Sequence, residues 1–196
     1  YCTDMVYEDL STGFPLFTML KHWNGGVNRH SIPLDGRSFN IAGISGLSFT
    51  AIPVTGKAPP YSPHRNDAHI GDNIGIKVTD ENNGKNLFYS PGLGDLTDQT
   101  RQLMREADCL LVDGTFWQED EMLTTGVGDK RAKDMGHLPQ SGENGMINVL
   151  KAMDKPRKIL IHINNTNPIL DEDSEQRKIL ASEGIEVSFD GMNVQL

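Results

Sequence analysis

The sequence lacks the features that would assign it to several large classes of protein. It has two cysteines, Cys2 and Cys109, in 196 residues, which excludes a disulfide framework. No apolar run reaches the length of a transmembrane helix. Positive charge is scarce, with 18 Lys and Arg against 27 Asp and Glu, so neither nucleic acid nor an anionic membrane is expected as a partner. A cytoplasmic globular protein is the expectation that remains.

The sequence also has no methionine at its start, since residue 1 is a tyrosine. Residues 1–3 resemble the tail of a strand that is already under way. We expect a single domain over residues 1–196 from which an amino-terminal segment is missing.

The order of predicted elements indicates an α/β fold with helices covering a sheet. Apolar periodicity and capping residues predict helices at 10–23, 97–106, 141–153 and 174–182. Strands are predicted at 47–54, 73–79, 86–90, 107–113, 158–163 and 185–189. Asn83-Gly84 is a hairpin signal between the second and third of these strands. Residues 55–72 form a proline-rich loop, and the charged segment 118–135 is expected to be mobile.

Polar residues stand where several predicted strands end. Asp113 closes one buried strand, His162 lies at the end of the next, and His137 sits in a loop before a helix. The carboxyl ends of neighbouring parallel strands line one rim of a sheet, so these side chains are expected to converge. Two imidazoles and a carboxylate suit a divalent metal, or acid–base chemistry without one. A turn-capping Asp113 and a histidine bonded within the core remain alternatives.

Several motifs resemble one known family. VDGTFW at 112–117, GHLPQSG at 136–142 and HINNTNPIL at 162–170 are similar to the pyrroloquinoline quinone (PQQ) biosynthesis protein B family. KHWNGG at 21–26 and APPYSPHR at 58–65 fit as well, so the resemblance runs along essentially the whole chain. It implies the carboxyl-terminal portion of a metallo-β-lactamase-like αββα sandwich. It also implies a role in making PQQ from a glutamate and a tyrosine of a precursor peptide.

The resemblance implies a role for each candidate residue. His162 is expected to bind the metal, His137 to act as acid–base or substrate contact, and Asp113 to orient a ligand or accept a proton. The expected substrate contacts are Asn164, Asn165, Asn167, Arg65 and Trp117. Arg65 shares its loop with His64 and His69, and this loop could equally be a solvated lid.

The sequence also departs from the metal-binding motif that is usual for this fold. The histidine- and aspartate-rich motif of the first half is absent from this sequence, and Thr55-Gly56-Lys57 stands where a histidine is expected. Pro91-Gly92 replaces a bridging aspartate. A two-zinc hydrolase is therefore not expected. One divalent ion is predicted, with iron favoured and zinc allowed in a purified or crystallised form.

Two functions follow as hypotheses. The first is a metal-dependent oxygenase that hydroxylates a small tyrosine-derived PQQ precursor, with a homodimer allowed. The second is a non-catalytic carrier that binds PQQ or its precursor for transport.

Overall fold

The computed structural model describes residues 1–196 and contains one seven-stranded sheet. The strands are β1 (Ser38–Phe39), β2 (Leu47–Pro53), β3 (Ile74–Asp80), β4 (Asn86–Ser90), β5 (Cys109–Asp113), β6 (Arg157–Ile161) and β7 (Ile185–Val187). They lie side by side in chain order, antiparallel from β1 to β4 and parallel from β4 to β7. Together with the helices, this mixed sheet confirms the predicted α/β fold class.

The helices are short. They are α1 (Asp4–Glu8), α2 (Leu16–Leu20), α3 (Asp98–Glu106), α4 (Glu121–Thr124), α5 (Met146–Lys151) and α6 (Glu175–Ser182). A π-helical turn spans Asp9–Gly13, and 3₁₀ turns span Lys133–Met135 and Pro168–Leu170. No helix has both the length and the apolar character needed to cross a membrane.

Local signals in the sequence explain where several elements begin and turn. The hydroxyl of Thr97 accepts a bond from the Thr100 amide at the start of α3. Ser174 caps α6 in the same way. The β3–β4 hairpin turns at Gly84, whose φ of 74° suits glycine.

Two predicted helices differ from the structure. The predicted helix 10–23 is reduced to α2 after a π-helical turn, because Pro15 separates them. Trp23, the last residue of the predicted helix, is 73% exposed. The predicted helix 141–153 begins only at Met146, because Gly145 before it is extended, with a ψ of 161°. A Cβ on Gly145 would lie 2.4 Å from the Ser141 carbonyl oxygen, so this turn requires glycine.

The segments at the chain start and at 118–135 also differ from expectation. Cys2 forms a single parallel bridge with Ser31 and no strand, and α1 begins directly afterwards. Residues 118–135 contain α4 and a 3₁₀ turn, joined by a bond from the Ala132 amide to the Glu119 carbonyl. The mobility of that segment stays a prediction.

The hydrophobic core lies between one face of the sheet and helices α3, α5 and α6. Strand residues such as Phe88, Leu110 and Leu160 are at most 1% exposed and pack against Met104 and Leu150 of the helices. Burial of such side chains is worth about 1.5–3 kcal/mol each. This sheet and its helical layer correspond to two of the four layers of the predicted sandwich, and they hold the ends of β4, β5 and β6 in fixed register.

Candidate metal centre

The candidate site lies on the rim formed by the carboxyl ends of β4, β5 and β6. Ser90 pairs with Val112, and Asp113 pairs with Ile161, so the three parallel strands end at the same level. The loops that leave these ends meet the loop that carries His137. As predicted, Asp113, His137 and His162 come together: their potential ligand atoms lie within 4.8 Å of one another.

Two glycines allow these loops to approach closely. Gly114 donates its amide hydrogen to the Ile161 carbonyl at 2.7 Å. A Cβ at this position would lie 2.9 Å from the Leu160 Cβ, so no larger residue fits without a shift. A Cβ on Gly94 would lie 3.1 Å from the carbonyl oxygen of Gly136, whose own φ is 86°. Glycine is therefore needed where the site loops cross.

The Asp113 carboxylate is fully buried and accepts four hydrogen bonds. One oxygen, Oδ1, accepts from the Thr115 amide at 3.0 Å and from the Thr115 hydroxyl at 2.6 Å. The other, Oδ2, accepts from the Leu93 amide at 2.9 Å and from Nδ1 of His137 at 2.8 Å. Four donors occupy the lone-pair positions of an ionised carboxylate. All of these lone-pair positions are thus engaged by residues of the site itself, which fixes the carboxylate in place.

His137 is held on its Nδ1 side. Its bond to Asp113 requires the proton on Nδ1, which leaves the lone pair of Nε2 free. Phe116 packs edge-on against the imidazole at 5.8 Å, and the His137 side chain is 16% exposed. The ring is fixed on two sides while its free nitrogen remains available for chemistry.

His162 adopts the left-handed backbone conformation, with a φ of 56°. Non-glycine residues seldom occupy this region, and such strain often marks a functional position. The Thr115 hydroxyl lies 2.9 Å from the His162 carbonyl oxygen and 2.8 Å from Nδ1 of the same residue. The rings of His162 and His137 stack with centroids 5.3 Å apart and planes at 21°. These contacts offset the backbone strain at His162 and hold its imidazole beside that of His137.

Thr115 is the hub of this arrangement, and its role did not follow from the sequence. One assignment of hydrogens accounts for three of these contacts: Nδ1–H of His162 donates to the hydroxyl, the hydroxyl donates to Asp113, and Asp113 also accepts from Nδ1–H of His137. The hydroxyl has a single hydrogen, so its 2.9 Å contact with the His162 carbonyl oxygen then has none. Under this assignment both histidines keep an unprotonated Nε2. A small polar residue after a strand end gives no sequence signal for such a role.

The donor set fits a divalent metal ion. Metal-ligating histidines usually donate their other ring N–H to a carboxylate or a similar acceptor, which fixes the tautomer. His137 does so directly to Asp113, and His162 does so through Thr115. An imidazole nitrogen of His162 with further positions open would suit zinc, iron or copper, and His137 beside it could serve as a second ligand or as an acid–base group.

The three asparagines predicted to contact the substrate have different surroundings in the structure. Asn167 is 2% exposed and donates to the carbonyls of Gly114 and Thr115, so its amide positions the loop. Asn164 is half-buried and donates to the Thr166 hydroxyl. Asn165 is exposed. Their substrate-binding role stays a prediction, and Asn165 is the best placed of the three to fulfil it.

The other two predicted substrate contacts lie outside the histidine cluster. Arg65 donates to the Ala58 carbonyl within the proline-rich loop. Trp117 packs on the edge of the core and lines a cavity of about 240 Å³. Polar side chains form most of the rest of its wall: Gln118, Glu121, Thr124, Thr125, Thr166 and Gln176.

Two buried polar residues that the sequence did not identify support the site from behind. Glu121 is 3% exposed and accepts from the Trp117 amide at 2.6 Å and the Thr166 hydroxyl at 2.5 Å, which joins the two loops. Gln140 is fully buried and donates to the Asp113 carbonyl at 2.8 Å. Each lies in a segment without periodicity, so no signal distinguished it from a surface residue.

Comparisons with known proteins agree on one family. The family profile described as "Beta-lactamase superfamily domain" matches residues 1–163. The chain is 57% identical over 196 residues to coenzyme PQQ synthesis protein B of Methylococcus capsulatus and 58% identical to that of Pseudomonas syringae pv. syringae. In both cases all of the chain but only 64% of the relative is covered, so the chain spans less than two thirds of these proteins.

A solved structure is similar to this chain as well and comes from the same group of proteins. The crystal structure of Zn²⁺-bound PqqB from Methylobacterium extorquens is 33% identical, with a TM-score of 0.86 over 100% of this chain and 64% of that one. The resemblance inferred from the motifs is confirmed, as is the metallo-β-lactamase-like fold.

Proposed function

The chain belongs to the β-lactamase superfamily, and from that premise we propose that it takes part in PQQ biosynthesis as a metal-dependent hydroxylase. The relatives' names give the pathway, while the rim geometry supports the type of chemistry. The observation that carries the proposal is the stacked pair of histidines on the rim, whose Nδ1 atoms each lie 2.8 Å from an oxygen, that of His137 from Asp113 and that of His162 from Thr115.

The proposed reaction requires a redox-active ion. Hydroxylation inserts one oxygen atom of O₂ into a C–H bond of a phenol ring, and the other leaves as water with two electrons from an external reductant. A ferrous ion would supply the activation of oxygen, and imidazole ligands with open positions suit iron. Zinc has no redox chemistry and would occupy the same ligands without supporting the reaction.

The residues of this chain would divide the remaining work. His162 would hold the ion through Nε2, with its ring orientation fixed by Thr115. His137 would hold or accept a proton at Nε2, since Asp113 keeps the proton of Nδ1 in place. Asp113, buried behind both, stabilises positive charge on the imidazoles without leaving its own bonds.

The proposed substrate is a small precursor derived from glutamate and tyrosine. Such a molecule carries carboxylates and a phenol ring. The exposed amide of Asn165, together with Asn164 and Arg65, would bind the acidic groups, and Trp117 would face the ring. The net charge of -9 favours neither nucleic acid nor an anionic membrane as a further partner. A homodimer remains compatible with the proposal.

The test is anaerobic reconstitution with ferrous iron, followed by elemental analysis and by oxygen uptake with a tyrosine-derived precursor and an external two-electron reductant. It should use the protein at its natural length, because the relatives extend beyond this chain. We expect about one equivalent of iron and substrate-dependent oxygen uptake, both lost in His162→Ala. His22→Ala, a change at an exposed histidine away from the rim, is the matched control.

The alternative function gives a different result in the same assay. A carrier of PQQ or its precursor would bind the ligand tightly whether or not iron is present, and would consume no oxygen. That result, with intact folding by circular dichroism, would replace the hydroxylase by the carrier.

A further inference from the structure

A second group of metal-binding side chains lies where the proline-rich loop meets α1. The loop contributes His64, Asp67 and His69, whose potential ligand atoms lie within 4.8 Å of one another. Glu8, at the end of α1, places a carboxylate oxygen 3.2 Å from Nε2 of His64. The imidazoles of His64 and His69 meet edge to face, with centroids 4.5 Å apart. These four residues share no member with the Asp113 cluster.

The loop backbone holds this group in place. The Asp67 amide donates to the His64 carbonyl at 2.9 Å, which forms a tight turn between two of its members. The His69 amide donates to the Asp72 carboxylate at 2.7 Å. The side chains are therefore brought together by the fold of the loop, before any ion binds.

The spacing suits ligands that share one ion. Two ligands bound to zinc at tetrahedral angles lie about 3.3 Å apart. The separation of 3.2 Å between His64 and Glu8 already has this value. The separation of 3.8 Å between Nε2 of His69 and Oδ2 of Asp67 is larger, and the Asp67 side chain, 84% exposed, is free to turn inward. If His64–Glu8 and His69–Asp67 were only two separate ion pairs, the two imidazoles would not need to lie in contact with each other.

Unpaired negative charge beside the group provides independent support. The Asp72 carboxylate accepts from His69 through one oxygen, while its other oxygen is buried without a partner. Buried unpaired carboxylates are costly, and a nearby divalent cation would offset their charge.

We propose that Glu8, His64, Asp67 and His69 bind a second divalent metal ion of the zinc type. His64, Asp67 and His69 already lie close together, and Glu8, which contacts His64, would complete a closed four-coordinate set such as structural zinc sites have. The ion would fasten the proline-rich loop to α1. The Thr55 carbonyl, at the start of that loop, accepts from the Gly94 amide on the rim, so the two sites border the same segment. The proposal does not depend on the hydroxylase function.

The test separates the two sites by substitution. His137→Ala combined with His162→Ala removes the first cluster, and this background should still bind one equivalent of Zn²⁺ in a chelator-competition titration. Adding His64→Ala and His69→Ala should weaken that binding by at least about tenfold. His22→Ala in the same background should leave it unchanged. Co²⁺ in place of Zn²⁺ should give the visible absorption of a four-coordinate ion, and this band should be lost with the two loop histidines.

A second comparison covers the case in which the background variant fails to fold. The unsubstituted protein should then bind two equivalents of Zn²⁺, and His64→Ala with His69→Ala should bind one, with both proteins folded by circular dichroism. The proposal is overturned if the folded background binds no zinc. It is equally overturned if removing the two loop histidines changes neither stoichiometry nor affinity.

Discussion

Replacing Thr115 by valine tests the hydrogen-bond scheme of the rim directly. The change keeps the shape of the side chain and removes only the hydroxyl. That hydroxyl donates to the buried Asp113 carboxylate at 2.6 Å and accepts from Nδ1 of His162 at 2.8 Å. Thr115→Val therefore leaves a carboxylate with one donor fewer and a histidine without its anchor.

The magnitude follows from the burial of the groups involved. Thr115 is 5% exposed and Asp113 is fully buried, so water cannot replace the lost donor. A hydrogen bond to a charged group contributes about 1.5–3 kcal/mol, and the unpaired His162 nitrogen adds a smaller loss, for a total of about 2–4 kcal/mol. Thr115→Ser keeps the hydroxyl and loses one methyl group, which costs about 1 kcal/mol.

The assay compares the two variants in two ways. Urea unfolding gives the free energy of unfolding, and a titration with Zn²⁺ gives metal affinity, which should fall about 10–100-fold in Thr115→Val because His162 loses its supporting bond. Thr115→Ser should bind metal as the unsubstituted protein does. If the valine and serine variants are equally stable and bind the ion equally well, the relay through Thr115 does not exist.

Of three further predictions, two concern the supports of the site and one concerns an ion pair between β6 and β7. Gly114→Ala should destabilise the chain by about 1–3 kcal/mol in urea unfolding, because its Cβ would lie 2.9 Å from a β6 side chain. Asn167→Ala should cost about 2–4 kcal/mol, since it leaves buried backbone groups unpaired, whereas Asn165→Ala should change stability by less than about 0.5 kcal/mol. The guanidinium of Arg157, donating at 2.7 and 2.9 Å, lowers the pKa of Glu186 below its ordinary value of 4.5. The stability from this pair is present above pH 4.5 and lost as the pH falls through the lowered pKa, so the difference between the unsubstituted protein and Glu186→Gln should disappear in acid denaturation.

The elements that could be predicted from the sequence are those with strong local signals. The β3–β4 hairpin follows from Asn83-Gly84, and α3 and α6 follow from the capping residues Thr97 and Ser174. The predicted helix 10–23 fails because periodicity alone does not show whether an apolar face has a partner. Pro15 interrupts it, and Trp23 faces solvent.

The sequence predicts where the candidate site lies but not which hydrogen bonds its residues form. Parallel strands end at one rim, so the convergence of Asp113, His137 and His162 follows from residue type and strand order. The sequence does not show how the hydroxyl of Thr115 is used, because its partners lie up to 47 residues away along the chain. Nor does it show that the side-chain amide of Asn167 is occupied by the backbone of Gly114, Thr115 and Ile169.

This difference matters because the bonding decides which atoms are left for chemistry. Asp113 has the residue type of a metal ligand, yet its four donors leave it no lone pair to offer. The same four bonds fix the tautomer of His137 and, through Thr115, that of His162. A carboxylate that is saturated in this way acts on an ion only through the imidazoles it orients. With the hydrogens assigned in this way, the two Nε2 atoms are the ring nitrogens left for chemistry, because the buried residues behind them engage both Nδ1 atoms.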